Sequence, residues 1–149
     1  MATARIPIVL ALALGLLAAH HETHDSGPQA APRTPSTPGA QVYIISPADG
    51  AEIDGPVTVR FGLRGMGVAP AGYPGEATGH HHLIVDAELP ALDASIPTDD
   101  RHRHFGGGQT ETTLELPPGP HTLQLLFADH NHVPHDPPLA SQRITVHVK

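Results

Sequence analysis

The chain contains no cysteine and no tryptophan, and only three phenylalanines and two tyrosines among its 149 residues. The absence of cysteine excludes disulfides, thiolate metal ligands and a lipid-anchored cysteine at an export site. Because aromatic residues are scarce, a folded core must be built mainly from Val, Ile and Leu. The length fits one ordinary domain with short appendages.

Positive charge is also scarce. The chain has eight Lys and Arg residues and fifteen Asp and Glu residues, which give a formal net charge of −7. No basic run is present to engage phosphates, so we expect no nucleic-acid partner. The chain nevertheless carries thirteen histidines. Their ordinary pKa lies near about 6.5, so mild acid can reverse the sign of the net charge.

The chain has one long apolar run, residues 6–19, which follows Arg5. This pattern predicts a signal peptide over residues 1–19, because the run is shorter than the roughly 20 residues that a membrane-spanning helix needs. Residues 20–40 are polar and rich in proline, which predicts a disordered linker. We therefore expect a periplasmic or secreted protein with no stable membrane insertion after the signal is removed.

After the linker, short runs rich in β-branched residues alternate with Gly, Pro and Asp clusters, and no helical period is visible. This pattern predicts an all-β domain over residues 41–149, an immunoglobulin-like two-sheet β-sandwich with six or seven strands. The predicted strands are 42–45, 57–63, 80–86, 110–116, 121–128 and 143–148.

Eight of the ten histidines in this domain fall into three groups: His80-His81-His82, His102 with His104, and His130 with His132 and His135. On an extended chain, residues at i and i+2 point to the same side about 6 to 7 Å apart, so two imidazoles can share one ion. If the groups converge at one end of the sandwich, they form a metal site. Its candidate ligands are His80, His82, His104, His132 and His135.

The available ligand atoms are nitrogen and oxygen, which suit zinc, copper(II) or nickel. Nearby acids that do not themselves bind the ion can orient the imidazoles: Asp86, Asp99, Asp100, Asp129 and Asp136. The competing interpretation is that each histidine is exposed or bonds a loop carbonyl, with no metal involved. His121 and His147 stand alone within strands, and we expect them to be structural.

Several strings of the sequence resemble one known family. They are Gly65-Met66-Gly67-Val68-Ala69-Pro70-Ala71-Gly72, Thr78-Gly79-His80-His81-His82-Leu83, His104-Phe105-Gly106-Gly107-Gly108-Gln109-Thr110, Gly119-Pro120-His121-Thr122-Leu123-Gln124-Leu125 and Asp129-His130-Asn131-His132-Val133-Pro134-His135-Asp136-Pro137-Pro138. Together they are similar to the exported bacterial family catalogued as domain of unknown function 4399, over about residues 42–149. The resemblance implies an exported single domain and carries no established activity.

Two functions remain open on this evidence. The first is a periplasmic domain that holds a divalent transition metal for sequestration, delivery or sensing. The second is a module that contacts an envelope protein or a glycan through the Gly-rich loop 65–79 and its Tyr73, with structural or pH-sensitive histidines. A third function, metal-assisted catalysis at an open coordination position, has no support in the sequence beyond the histidines themselves. No serine lies in a nucleophile elbow, and Gly106-Gly107-Gly108 lacks the features of a phosphate loop.

Overall fold

The computed structural model describes residues 33–149, so the predicted signal peptide and linker residues 20–32 lie outside the described residues. This part of the chain forms ten strands: β1 (Gln41–Ser46), β2 (Glu52–Ile53), β3 (Val57–Arg64), β4 (Gly67–Val68), β5 (Thr78–Val85), β6 (His102–His104), β7 (Glu111–Leu114), β8 (Gly119–Ala128), β9 (Pro134–Ala140) and β10 (Ile144–Val148). Within residues 33–149, no helix is long and apolar enough to cross a bilayer.

The strands form two sheets, which confirms the prediction of an all-β fold with two sheets. The smaller sheet has the order β1-β3-β7, and the larger has the order β2-β10-β8-β5-β4. Two further strands extend the larger sheet, because β6 pairs with β5 and β9 pairs with β8. Strands β5 and β8 run antiparallel at its centre, with His80 opposite Ala128 and His82 opposite Leu126.

The main core lies between the two sheets and follows from alternation along the strands. In β3, the side chains of Val57, Val59 and Phe61 are buried while the intervening Thr58 and Arg60 are exposed. Alternate residues of β8, including Leu123 and Phe127, close the core from the larger sheet. Val, Leu and Ile therefore supply most of the packing, as the scarcity of aromatics requires.

A second, smaller apolar cluster lies on the other face of the larger sheet. It joins Ile84 of β5 and Leu126 of β8 to Ile96, which belongs to the long connection between β5 and β6. The backbone N–H of Ile96 donates to the carbonyl oxygen of His132 at 2.9 Å. This connection covers the centre of the sheet, so β5 is buried on both faces.

The described part of the chain has ten strands rather than the predicted six or seven, because four strands lie where the sequence predicted none: the two-residue strands β2 and β4, and the strands β6 and β9. Strand β6 carries His102 and His104, and β9 contains His135 together with three prolines. Proline cannot donate a backbone hydrogen bond, so it lowers the expectation of a strand except at a sheet edge. Strand β9 pairs with β8 along one edge. Among residues 33–149, only residues 34–36 form backbone hydrogen bonds with its other edge, at Asp136, so the prolines interrupt no strand pairing there.

The folded domain starts before residue 41. Pro35 forms an isolated parallel bridge with Asp136, whose backbone N–H donates to the Thr34 carbonyl oxygen at 2.9 Å. The Ser36 N–H donates back to the Asp136 carbonyl oxygen at 3.0 Å. These hydrogen bonds tie residues 34–36, which lie within the linker predicted over residues 20–40, to the start of β9.

His121 has the structural role expected for it. Its Nδ1 lies 2.7 Å from Oδ2 of Asp86 and its Nε2 lies 2.8 Å from the carbonyl oxygen of Pro117. Both partners accept hydrogen bonds, so only the protonated ring can donate to both. The hydrogen bond to Asp86 accordingly raises the pKa of His121. His147 is exposed on β10.

Gly79 allows β5 and β8 to approach closely. A Cβ atom at this position would overlap the carbonyl oxygen of Ala128 and lie 2.8 Å from the Phe127 ring. Because the obstruction is backbone, we expect Gly79→Ala to lower the free energy of unfolding by about 1 to 3 kcal/mol. Urea unfolding measures this change. Gly67→Ala is the control, since its Cβ would make only an ordinary 3.5 Å contact with Thr78, and equal losses in both variants would contradict the account.

Candidate metal centre

Strand β5 separates its three consecutive histidines between two environments. His81 faces the main core, where its ring lies 5.2 Å from that of Phe61 and 5.1 Å from that of Phe127. His80 and His82 point to the opposite face, as alternation requires. Strand β6 pairs with β5 so that His104 lies directly opposite His82. Three imidazoles therefore share the outer face of the larger sheet.

A fourth imidazole arrives from the turn that follows β8. The ring of His132 lies 5.0 Å from that of His80 and 4.8 Å from that of His104, measured between centroids. The His80 and His104 rings are 5.0 Å apart. His80, His104 and His132 each offer one ring nitrogen, and these three atoms all lie within 4.8 Å of one another. The structure thus brings together one histidine from each of the three groups in the sequence.

His82 also belongs to this group of rings. Its Nε2 lies 3.1 Å from Nε2 of His80, and its ring centroid is 5.1 Å from that of His104 and 6.0 Å from that of His132. We call His80, His82, His104 and His132 the imidazole cluster. His80 and His82 have no exposed surface, whereas His104 and His132 are half-buried. The cluster therefore has a buried floor and a side that reaches solvent.

Burial favours the uncharged form of His80, His82 and His104. Burial, together with the neighbouring imidazoles, lowers the pKa of His80 to about 4 and that of His82 to about 2. Burial also lowers the pKa of His104, with His132 adding to the effect. A neutral imidazole presents a lone pair, which is the form that binds a metal ion.

Several buried nitrogens of the cluster have no hydrogen-bond partner among the described residues. They are Nδ1 of His80, Nδ1 of His82 and Nε2 of His104. Outside the cluster, both ring nitrogens of His81 and Nδ1 of His135 are also buried without a partner in residues 33–149. Buried polar atoms are rarely left unpaired, because each one costs free energy that a partner would recover. An ion between the rings would satisfy the nitrogens that point inward.

The donor atoms fit a transition metal. In a tetrahedral zinc site with bonds of about 2.0 to 2.1 Å, two imidazole nitrogens lie about 3.4 Å apart. His80, His104 and His132 hold their nitrogens within 4.8 Å of one another, so the side chains would have to draw together around an ion. A set of imidazoles without carboxylate ligands suits zinc, copper or nickel and disfavours calcium and magnesium.

His135, the fifth predicted ligand, does not join the cluster. Its ring stacks on Phe127 at 5.6 Å, and its Nε2 lies 3.2 Å from the carbonyl oxygen of Thr78. Phe127 belongs to the main core, so β9 turns this histidine towards the other side of the sheet. His102 also lies apart, because its Nδ1 is 2.9 Å from Oδ1 of Asp99.

The acids predicted to orient the imidazoles make other contacts. Asp86 binds His121, Asp99 binds His102, Asp100 pairs with Arg103, and Asp136 pairs with Arg33. Asp129 is buried, and its carboxylate accepts hydrogen bonds from the backbone N–H groups of Asn131 and Val133 in the turn that carries His132. Burial alone would raise the Asp129 pKa, but hydrogen bonds from Thr34, Val133 and Asn131 outweigh it and hold the pKa below its usual value.

Two features of the site were not predicted from the sequence. His132 has a φ of 66°, a left-handed conformation that costs a residue with a side chain about 1 to 3 kcal/mol. Gly106 provides the room for His104, because a Cβ there would overlap Cε1 and Nε2 of that ring. The signal for this role in the sequence is that the three glycines begin two residues after His104.

Comparisons with known proteins identify a family. A family model described as Domain of unknown function (DUF4399) matches residues 59–149. No curated protein matches the chain. One solved structure that matches part of this chain is an endo-β-1,4-mannanase from Thermotoga petrophila, at 18% identity and a TM-score of 0.44. That match covers 74% of this chain and 20% of the mannanase, so the chain spans about a fifth of that protein.

The depressed pKa values predict acid sensitivity of the metal-free protein. An unfolded histidine binds a proton below about pH 6.5, whereas folded His80 and His82 bind one only near pH 4 or lower. The unfolded state therefore binds more protons between these limits, and the free energy of unfolding must fall as the pH drops through this range. Urea unfolding between about pH 7 and pH 5 measures the slope.

His82→Gln should flatten this slope because it removes one group that only the unfolded state protonates. His147→Gln is the control, since His147 is exposed and should leave the slope unchanged. An identical slope in all three proteins would show that His82 is not buried in its neutral form.

Gly106→Ala should displace His104 without unfolding the domain. The obstructed atoms are the far end of a side chain that can rotate away, so we expect the free energy of unfolding to change by less than about 1 kcal/mol. The NMR resonances of the His104 ring should move while the other core resonances persist. Gly107→Ala is the matched control, because its Cβ would meet only the flexible Gln109 side chain. An unmoved His104 ring in Gly106→Ala would contradict the packing described.

Proposed function

We propose that this chain, which belongs to the DUF4399 family, is a periplasmic domain that binds one divalent transition metal ion through its imidazole cluster. His80, His104 and His132 are the proposed ligands, and His82 is either a fourth ligand or the partner that fixes His80. The observation that carries the proposal is the convergence of three ring nitrogens within 4.8 Å of one another.

The chemistry of the cluster supports a metal over a purely structural role. Rings that only fill a core or bond a loop carbonyl do not require four imidazoles with their nitrogens turned towards one another. His81 and His135 show the contrast, since both pack against Phe127 on the other side of the sheet. Imidazole is the ligand that zinc, copper and nickel favour in sites without cysteine.

A nearby carboxylate offsets part of the charge that a bound cation would bring. The four imidazoles contribute no formal charge when neutral, so an ion would bring an unbalanced positive charge into a buried place. The Asp129 carboxylate acts through space on His80 and opposes part of the fall in its pKa. That same negative charge would offset part of the charge of a bound ion.

The distribution of burial supports holding or transferring an ion. His80 and His82 form a dry floor, and the half-buried His104 and His132 form the side through which an ion would enter or leave. We propose sequestration, delivery or sensing as the role. The periplasmic location follows from the apolar run at residues 6–19, which has the character of a signal peptide.

One observation favours a second candidate, an interaction module. Tyr73 is 58% exposed on the loop between β4 and β5, where a large side chain is available to a partner. The adjacent Gly72 N–H donates to the carbonyl oxygen of His130 at 3.0 Å, so this loop is fixed beside the turn that carries His132. Absence of metal binding would favour recognition of an envelope protein or glycan through this surface.

Titration of tagless protein with zinc, copper or nickel should show one tightly bound ion and a higher melting temperature, because a ligand of the native state stabilises it. His80→Gln, His104→Gln and His132→Gln each remove one ligand. We expect each to weaken binding by more than about 100-fold, beyond the loss usual for an outer partner. Calorimetry measures the affinity.

Three controls sharpen the test. His130→Gln alters the same turn as His132→Gln, and His135→Gln alters a predicted ligand outside the cluster, so both should keep the wild-type affinity. A chain with His20, His21 and His24 replaced by Gln should also bind normally. Loss of binding only in this last variant would assign the metal to the N-terminal histidines and refute the cluster.

A further inference from the structure

The turn that presents His132 is organised by one buried carboxylate. Oδ1 of Asp129 accepts the backbone N–H of Asn131 at 2.8 Å and that of Val133 at 3.0 Å. The Asp129 N–H donates to the Val133 carbonyl oxygen, and the His132 N–H donates to the Asp129 carbonyl oxygen, both at 3.0 Å. Asp129 therefore closes the turn from both its side chain and its backbone.

This closure holds His132 in an unfavourable conformation. The left-handed φ of 66° persists only if the surroundings impose it, because a side chain is disfavoured there. Hydrogen bonds flank the residue on both sides, and the Ile96 N–H fixes its carbonyl oxygen at 2.9 Å. The direction of the His132 ring thus depends on the turn that Asp129 maintains.

The second oxygen of Asp129 is held by a residue from the other end of the domain. The Thr34 hydroxyl donates to Oδ2 of Asp129 at 2.6 Å. Arg33 anchors the same segment, since its Nε donates to the Pro134 carbonyl oxygen at 3.1 Å and its guanidinium pairs with Asp136 at 3.2 Å. The chain leaving the linker is therefore fastened to both sides of the His132 turn.

We infer that Asp129 and Thr34 are positioning residues of the metal centre, and that the docked segment 33–36 stabilises the site through the Thr34–Asp129 hydrogen bond. The inference rests on the proposed function. When the segment is docked, Asp129 holds His132 towards His80 and His104. Detachment of the segment removes the Thr34–Asp129 hydrogen bond, makes the turn more mobile and lowers the affinity for the ion. Detachment of residues 33–36 is therefore coupled to metal release.

Three substitutions in the full-length chain test this coupling. Thr34→Val keeps the shape of the side chain and removes the donor, whereas Thr34→Ser keeps the hydroxyl. Thr37→Val is the matched control, because the Thr37 hydroxyl makes no hydrogen bond to any residue in 33–149. Zinc, copper and nickel affinities are measured by calorimetry, and amide hydrogen exchange of Asn131 and Val133 is measured in metal-free protein.

Thr34→Val should weaken metal binding by about 10-fold or more, the usual cost of losing an outer partner. It should also accelerate exchange at Asn131 and Val133, while Thr34→Ser and Thr37→Val behave as wild type. Wild-type affinity and wild-type exchange in Thr34→Val would overturn the inference. A wild-type chain that binds none of the three ions would refute the proposed function, and the exchange rates would still decide whether Thr34 controls the turn.

Discussion

The central constraint in this structure is the burial of uncharged imidazoles on a strand that is covered on both faces. Strand β5 lies at the centre of the larger sheet, with the main core on one side and residues 86–101 on the other. A charged group in that position would lose its hydration without compensation. His80 and His82 are therefore held neutral, with their nitrogens turned to one another and to the rings that reach them from β6 and the His132 turn.

The remaining features of the site follow from bringing imidazoles so close together. Gly106 leaves space for the His104 ring, and Gly79 lets β5 lie near enough to β8 for His80 to pack beside the turn. The turn itself holds His132 in a strained conformation, which Asp129 and Thr34 maintain. Close donor atoms and a strained backbone coincide at the cluster, and such coincidence is typical of functional sites.

Much of the fold was accessible from the sequence because alternation is a local property. The inward set Val57, Val59 and Phe61 follows directly from a period of two. Strand β9 was missed because its prolines resemble a turn until pairing with β8 shows that they belong to an outer strand of the larger sheet. The contacts of residues 34–36 with Asp136 were out of reach for a related reason, since these hydrogen bonds are long-range.

The candidate site was predictable only in part. The i, i+2 spacing placed His80 with His82 on one side of a strand, and the three histidine groups suggested convergence. Nothing local separated His132 from His135, because the assignment depends on where β9 turns after the bulge in its pairing with β8. The dependence of His132 on Thr34 was also out of reach, since these residues are brought together only by the complete fold.

The most direct test of the central claim is a crystal structure of the metal-loaded protein with anomalous diffraction measured at the absorption edge of the bound ion. The account predicts one anomalous peak bonded to His80, His104 and His132, with metal–nitrogen distances of about 2.0 to 2.1 Å. A cluster with no peak after soaking, or a peak bound only at other histidines, would contradict it.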